Sequence, residues 1–174
     1  MEFFIRTTWA EGAAPDDRQG QRARRWPESR HHLLNAHDNE RVEIAETRGS
    51  VANDLHGAFA EWRAQAKATR CEKYLYSLSV NPDQRQGRLT REQYFDYLAR
   101  VVKRLGLSKQ GRVVVFHEKK DGVPREHCHA VWSRIDAKAG RAVQLSHDRM
   151  NLRTVAREFA KSARSQTAAR PAGG

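Results

Sequence analysis

Strand-like and helix-like patterns of hydrophobic residues follow one another along this chain. β-Branched and aromatic residues cluster or alternate with polar ones in short runs, which is typical of strands. The strands predicted on this basis are Phe3–Thr8, Glu40–Ile44, Tyr74–Val80, Val113–His117 and His127–Ile135. The chain therefore contains enough strand segments for a central sheet.

Apolar residues recur at helical spacing in three other segments. The first helix is predicted from Asn53, which is a favourable N-cap residue, and a shorter helix is predicted over Arg30–Ala36. Thr90 and Gln93 form a capping-box pattern ahead of the second helix, which Gly106 ends. The predicted core faces of the first two helices contain Leu55, Ala58, Phe59, Trp62 and Ala66, and Tyr94, Leu98, Val101, Val102 and Leu105.

The third helix is predicted from Asp148 onward, with Leu152, Val155, Ala156 and Phe159 toward the core. Beyond it, residues 162–174 are small, basic and contain Pro and Gly, so we predict a disordered tail. Asp121-Gly122 between two strands indicates a hairpin turn. These elements predict an α+β fold, in which helices pack on one or both faces of a mainly antiparallel sheet.

The predicted hairpin concentrates three histidines. His127 and His129 point to the same side of their strand because side chains alternate, and Cys128 points to the other side. If the hairpin is centred on Gly122, His117 lies directly opposite His127 and diagonal to His129. Directly opposed residues have Cβ atoms roughly 4.5–5.5 Å apart, so the three imidazoles are expected to converge on one point.

Three converging imidazoles indicate a metal site. With His117, His127 and His129 as ligands, a coordination position stays open, which favours catalysis over a structural zinc site. Structural histidines and structural zinc are the competing interpretations. Imidazole ligands alone would suggest zinc, so the residues do not identify the ion.

The charge of the chain points to a polyanionic partner. The chain has 174 residues, a formal net charge of +11 and a pI of about 10.3. Nucleic acid is the first candidate, since a metal with an open position in a basic protein suits work on a phosphodiester. An anionic membrane is second, but no basic amphipathic helix with a bulky apolar face supports it.

The polar segment at residues 10–30 carries part of this charge. We predict DNA contacts there, with a solvated run of charges as the alternative, and single-strand stacking by Trp9 or Trp26, which core packing would explain equally well. The predicted DNA-binding residues are Arg22, Arg24, Arg25 and Arg30.

Other bulk features bear on location. The two cysteines, Cys71 and Cys128, form no CxxC pair, and no apolar run is long enough to span a membrane. The first residues also lack the pattern of a secretory signal. We therefore expect a cytoplasmic protein without disulfides or membrane insertion.

The segment FHEKKDGVPREHCHAVWSRID resembles the metal-binding motif of relaxase/mobilization nucleases in the HUH endonuclease superfamily. The segment HHLLNAHDNERVEIAETRGSVANDLHGAF resembles the upstream motif of that family, and YLYSLSVNP and LSHDRMNLRTVAREFA are also similar to it. The resemblance covers roughly residues 30–160. It places a nuclease domain at residues 30–161, between a divergent basic segment at 1–30 and the predicted tail at 162–174.

The resemblance implies an activity. Relaxases bind single-stranded DNA at a transfer origin and cut one strand in plasmid or integrative-element mobilisation. They stay attached to the 5′ phosphate and can rejoin the strand. They use a divalent metal, Mg²⁺ or Mn²⁺ by this resemblance and Zn²⁺ as the alternative. Accessory relaxosome and coupling proteins are the further partners that it implies.

The resemblance also implies site residues. Most members use a tyrosine nucleophile, but a subset has histidine followed by an Asn/Glu pair, and the matching residues here are His32, Asn39 and Glu40. A neutral imidazole is a plausible nucleophile near pH 7. Glu40 is expected to share an inward face with Val42 and Ile44 and to orient a ligand imidazole. His31 is the neighbour most easily confused with His32.

Several alternatives stay open. Tyr94 and Tyr97 are rival nucleophiles, but Tyr94 fits the apolar stripe of its helix. Residues 1–30 depart from the family pattern, because an Arg-rich stretch stands where a Gly-rich segment is usual. An inactive DNA-binding module with the same fold, and an unrelated three-histidine metalloenzyme, are therefore the alternative functions.

Overall fold

The computed structural model describes residues 3–10, 39–82, 88–119 and 126–168, and the fold is built around a five-stranded sheet. Every pair of neighbouring strands is antiparallel, and the order across the sheet is β1-β3-β5-β4-β2. The strands are β1 (Phe3–Ala10), β2 (Asn39–Arg48), β3 (Leu75–Pro82), β4 (Arg112–Lys119) and β5 (Glu126–Ser133). A short hairpin of β6 (Ile135–Asp136) and β7 (Arg141–Ala142) follows β5.

Three described helices cover both faces of this sheet. They are α1 (Leu55–Lys67), α2 (Arg91–Leu105) and α3 (Asp148–Ala168). Helix α1 packs on one face, and α2 and α3 pack together on the other. The α+β prediction is confirmed, and the structure shows helices on both faces. The predicted helix over Arg30–Ala36 and the Asp121-Gly122 turn lie outside the described residues.

The α1 face has an aliphatic and aromatic core. Val113, Val115 and Val131 project from the central strands toward the helix, because alternate residues of a strand share a face. From the helix, Phe59 and Trp62 fill the layer with fully buried rings that meet edge to face, 5.4 Å between centroids. The residues that recur at helical spacing on α1 therefore pack against alternate residues of β4 and β5.

The start of α1 corrects the predicted cap. The N-cap is Asp54, whose Oδ1 accepts a hydrogen bond from the Gly57 amide at 2.8 Å, whereas the sequence pattern predicts Asn53. An Asp one residue later satisfies the orphan amides of the first turn equally well, so composition alone does not separate the two positions.

This correction has a measurable consequence. Asp54→Ala is expected to lower the free energy of unfolding by about 1 kcal/mol, because the first-turn amide loses its acceptor. Asn53→Ala, at the exposed neighbouring position, is expected to change it by less than about 0.5 kcal/mol. Urea denaturation of both variants measures the difference. Equal losses would show that the cap does not stabilise the helix.

The other face of the sheet carries the larger core. The capping box of Thr90 and Gln93 is present, and α2 ends at Gly106 with φ 71°, a left-handed conformation that glycine adopts without strain. Both features are confirmed as predicted. The buried side chains of this face include Leu98 and Val101 of α2, Phe159 of α3 and Trp132 of β5.

Strand β2 lies at one edge of the sheet and is irregular. Its pairing with β4 shifts register between Asn39 and Arg41 and again between Ile44 and Glu46. The prediction that Ile44 faces the core is wrong, since Ile44 is 45% exposed, whereas Val42 packs against the α1-face core. Pairing with β4 is continuous from Val42 to Ile44, so both residues lie on the same face, and Ile44 is exposed because β2 is the edge strand.

Helix α3 also extends beyond its expected end. The predicted tail begins at Ser162, but the helix continues to Ala168. The physical reason is burial: Ala163 is 6% exposed and belongs to the α2/α3-face core. Residues 169–174 lie outside the described part of the chain.

In the segments that the structure describes, no helix combines the length and the apolar character that crossing a bilayer requires.

Candidate metal centre

The three predicted histidines come together at one end of the sheet. His117 on β4 pairs directly with His127 on β5, as predicted from the turn, and Val115 pairs with His129. The strand pairing between β4 and β5 is continuous, so the alternation of faces is preserved through this region. The histidines therefore lie on the face of Val115 and Val131, which is the α1 face.

The ring geometry shows how close the three side chains are. The ring centroids are 5.1 Å apart for His117–His127, 4.8 Å for His117–His129 and 5.2 Å for His127–His129. One nitrogen from each ring can be chosen so that all three lie within 4.8 Å of one another. All three side chains are buried.

This donor set fits a divalent ion. Neutral imidazoles are ligands for Zn²⁺ and other first-row metals, with Zn–N bonds of about 2.0–2.1 Å, so small ring rotations would bring the nitrogens onto a common centre. Three protein ligands leave positions for water or substrate. Such a set could hold a metal for catalysis. Three imidazole ligands do not by themselves determine which divalent ion binds.

Cys128 does not belong to this cluster, because its side chain lies on the opposite face of the sheet. It pairs with Phe116 and is fully buried with Ala130 and Trp132 in the core beneath α2 and α3. Burial in this apolar layer raises the pKa of the Cys128 thiol well above its usual range. The prediction that Cys128 is not a ligand is thus confirmed by its position.

A cluster of charged residues holds the beginning of β5 in place, and the sequence did not predict it. The Arg91 guanidinium lies 2.7 Å from Glu126 and 3.3 Å from Glu43, and it stacks 3.6 Å above the centre of the Phe116 ring. This connects α2 to β2 and to the residue before His127. No sequence signal indicated it, because Arg91 reads as an ordinary first-turn residue and its partners are far apart in the chain.

Tyr94 contacts the same beginning of β5 from the core side. Its hydroxyl donates a hydrogen bond to the carbonyl oxygen of Glu126 at 2.8 Å, and its ring meets Phe116 edge to face. The Glu126 side chain pairs with Arg91 of α2, the helix on the face away from the histidines. Together these contacts position the backbone from which His127 projects.

Every tyrosine of the chain is buried. The chain has four tyrosines, Tyr74, Tyr76, Tyr94 and Tyr97, and each is at most 3% exposed. Burial raises the pKa of each phenol, for Tyr76 with a further contribution from nearby Asp148. Tyr94 and Tyr97 also belong to the core on the face opposite the histidines. Core packing of Tyr94 is therefore confirmed, and the hydroxyl groups of Tyr94 and Tyr97 are not accessible at the surface.

Asn39 and Glu40 begin β2 at the same end of the sheet as the histidines. Asn39 pairs with Lys119, and Val42 pairs with His117. The register shift between Asn39 and Arg41 means that alternation from Val42 does not determine the face of Glu40. The roles of Asn39 and Glu40 remain predictions.

The other predicted site residues are not brought to this centre by the described structure. Trp9 belongs to β1, where it pairs with Tyr76. His31, His32 and Trp26 lie outside the described residues, as do the predicted DNA-binding residues Arg22, Arg24, Arg25 and Arg30.

Comparison with known families identifies the chain. The family model described as relaxase, MobA/VirD2-like, nuclease domain matches residues 32–164, and the chain therefore belongs to this relaxase family. A relaxase-type nuclease domain implies DNA nicking, single-stranded DNA as the partner and a divalent metal. No curated protein and no solved structure matches the chain.

Proposed function

We propose that this member of the relaxase family nicks one DNA strand at a transfer origin, holds the 5′ phosphate covalently and rejoins the strand. The observation that carries this proposal is the convergence of His117, His127 and His129 at one end of the sheet. A buried cluster of three imidazoles, in a chain with a net charge of +11, is suited to a phosphodiester.

The histidine cluster would hold the metal and leave part of its coordination open to the substrate. A divalent ion held there, Mg²⁺ or Mn²⁺ in this proposal, would supply Lewis-acid polarisation of the non-bridging phosphate oxygens. The Arg91–Glu126 ion pair and the Tyr94 hydrogen bond keep the start of β5 in place, so that His127 and His129 keep their orientation.

We assign the nucleophile to His32. The burial of all four tyrosines supports this assignment, because none of them offers an accessible phenol. His32 precedes Asn39 by seven residues, a segment that spans at most about 25 Å when extended. Asn39 pairs with Lys119, two positions beyond His117, so this segment is long enough to bring His32 to the histidines.

The proposed chemical step is balanced as follows. An imidazole nitrogen of His32 attacks phosphorus, a P–N bond forms, and the bond between phosphorus and the 3′ oxygen breaks. The proton lost from the His32 ring ends on the departing 3′ oxygen as a hydroxyl group. Attack by that hydroxyl on the phosphoramidate reverses the step and rejoins the strand.

The remaining residues have proposed supporting roles. Glu40 would orient a ligand imidazole and Asn39 the substrate, and Arg22, Arg24, Arg25 and Arg30 would contact DNA phosphates. The biological setting would be mobilisation of a plasmid or integrative element, in a complex with accessory and coupling proteins.

A plasmid assay tests this function. Supercoiled plasmid carrying the cognate transfer origin, incubated with protein and Mn²⁺ or Mg²⁺, is expected to become a relaxed circle with protein on the 5′ end. EDTA added first should prevent this, and a plasmid without the origin should stay supercoiled. Origin binding without any nicking would instead identify an inactive DNA-binding module with the relaxase fold.

A further inference from the structure

The exposed surface of α3 carries a row of positive charges that the histidine site does not use. Arg149, Arg153, Arg157 and Lys161 recur every four residues, and all four are exposed. Residues four apart are neighbours on a helix surface, and at 3.6 residues per turn the row winds by about 120° around α3 from its first member to its last. With a rise of 1.5 Å per residue, neighbours in this α3 row lie about 6 Å apart and its ends about 18 Å apart.

The charges of the α3 row are not neutralised within the described part of the protein. None of the four side chains forms an ion pair with a described carboxylate. Like charges four residues apart destabilise a helix. The three neighbouring pairs of the row therefore carry a cost that an external polyanion would offset.

The apolar side of α3 is buried, which leaves the row at the protein surface. Leu152, Val155 and Phe159 are buried against the sheet and α2. Two polar contacts add to this attachment: Arg104 of α2 donates to Asn151 at 3.0 Å, and Arg100 donates to Ser162 at 3.2 Å. The row is thus held outward on a rigid element.

The position of the row separates it from the metal centre. Helix α3 packs on the face of Cys128 and Ala130, whereas His127 and His129 point to the opposite face. A strand bound at the histidines would therefore meet the protein on the other side of the sheet. The row requires a different segment of polyanion.

We propose that the α3 row binds the phosphate backbone of a double-stranded DNA segment. Duplex DNA is a straight, rigid polyanion with one phosphate per about 3.4 Å on each strand, so a row of about 18 Å spans roughly five phosphates. This inference adds a second DNA contact to the proposed function. Its own support is the charge and placement of α3.

Other occupants fit the row less well. Proteins that hold single strands combine charge with aromatic stacking platforms, and the only aromatic residue of α3, Phe159, is buried. An interfacial membrane helix needs a bulky apolar face toward lipid. In α3 that face is in the core, and Met150 is the only large hydrophobic residue of the described helix that is exposed.

The test compares two variants with the same loss of formal charge. One replaces Arg149, Arg153, Arg157 and Lys161 with Gln. The control replaces four exposed basic residues at the end of the sheet away from the histidines, Arg70, Lys109, Lys138 and Arg141, with Gln. Fluorescence anisotropy with a labelled duplex that lacks the nick site measures affinity over a range of salt.

The row variant is expected to lose at least about 50-fold in duplex affinity near 0.1 M salt, with a salt slope smaller by about 2–4. The control variant should lose less than about fivefold, since it removes the same formal charge but leaves the α3 row intact. Circular dichroism should show unchanged helix content in both variants. Equal losses in the two variants would overturn the proposal, because only total charge would then matter.

Two further measurements distinguish the remaining outcomes. Single-strand affinity at the origin should be unchanged in the row variant, and a loss confined to single strands would contradict duplex binding. Vesicles of phosphatidylserine and phosphatidylcholine should bind weakly, and a row-dependent loss of vesicle binding with duplex binding intact would assign the row to a membrane. Because His129→Ala removes the proposed nicking but not the row, duplex binding by that variant tests this inference separately from catalysis.

Discussion

His129→Ala is expected to abolish strand nicking and to weaken divalent-metal binding by at least about 100-fold. Substitutions of residues that only support metal ligands typically cost 10- to 100-fold in affinity, so loss of a ligand should cost at least as much. His129 is one of three buried imidazoles in the cluster, and its ring centroid lies 4.8 Å from that of His117. Alanine there leaves two ligands.

Metal affinity and nicking are measured separately for this variant. Calorimetric titration with Mn²⁺ gives the affinity, and the metal-induced rise in Tm gives an independent value, since a ligand that binds only the native state stabilises it. His56→Ala is the matched control because His56 is exposed on α1. His129→Ala that nicks normally and binds Mn²⁺ like the wild type would contradict the metal centre.

His32→Ala is expected to lower formation of the covalent protein–DNA adduct by at least about 1,000-fold, while metal binding stays unchanged. Removal of a nucleophile eliminates the covalent step, whereas other groups of the site continue to bind substrate. The adduct is measured by denaturing electrophoresis with a labelled strand. Phosphoramidates are acid-labile, so the wild-type adduct should also be lost on acid treatment, unlike a tyrosine phosphodiester.

Three control variants make this result specific. His31→Ala should keep the adduct, which separates the two neighbouring histidines. Tyr97→Phe should keep it as well, because this phenol is buried in the core opposite the metal centre. Tyr94→Phe should lower it only modestly, because it removes the hydrogen bond to the Glu126 carbonyl but no group that reacts. An adduct that survives His32→Ala and disappears in a tyrosine variant would show that the buried phenol becomes accessible on DNA binding and is the nucleophile.

The metal-site and nucleophile variants together show which part of the proposed function is absent if nicking is not observed. Loss of nicking with retained metal binding points to the covalent step, and loss of both points to the histidine cluster. If the wild-type protein already lacks nicking activity but still binds origin DNA, the protein is a DNA-binding module with the relaxase fold.

Much of this architecture was predictable because its signals are local. The capping box at Thr90 and the stop at Gly106 depend on residues within one helix, and both are present. The pairing of His117 with His127 follows from the length of one hairpin and the two-residue periodicity of strands. Local geometry therefore sufficed to place the three histidines together.

Local signals were insufficient where two positions were equivalent or where burial depended on elements far apart in the chain. Asn53 and Asp54 are both good caps, and only the hydrogen bond to Gly57 shows that Asp54 caps α1. The exposure of Ile44 follows from the place of β2 at the edge of the sheet, which the periodicity of the strand does not reveal. The continuation of α3 past Ser162 depends on burial of Ala163 by distant elements.

The sequence by itself thus determined the helices and strands, the convergence of the histidines and the excess of positive charge. Only the tertiary structure decided that α1 lies on the histidine face while α2 and α3 cover the other, because the choice of face depends on packing between residues far apart in the chain. That choice buries all four tyrosines, joins Arg91 to Glu43 and Glu126, and places the α3 row on the side of the sheet away from the metal centre.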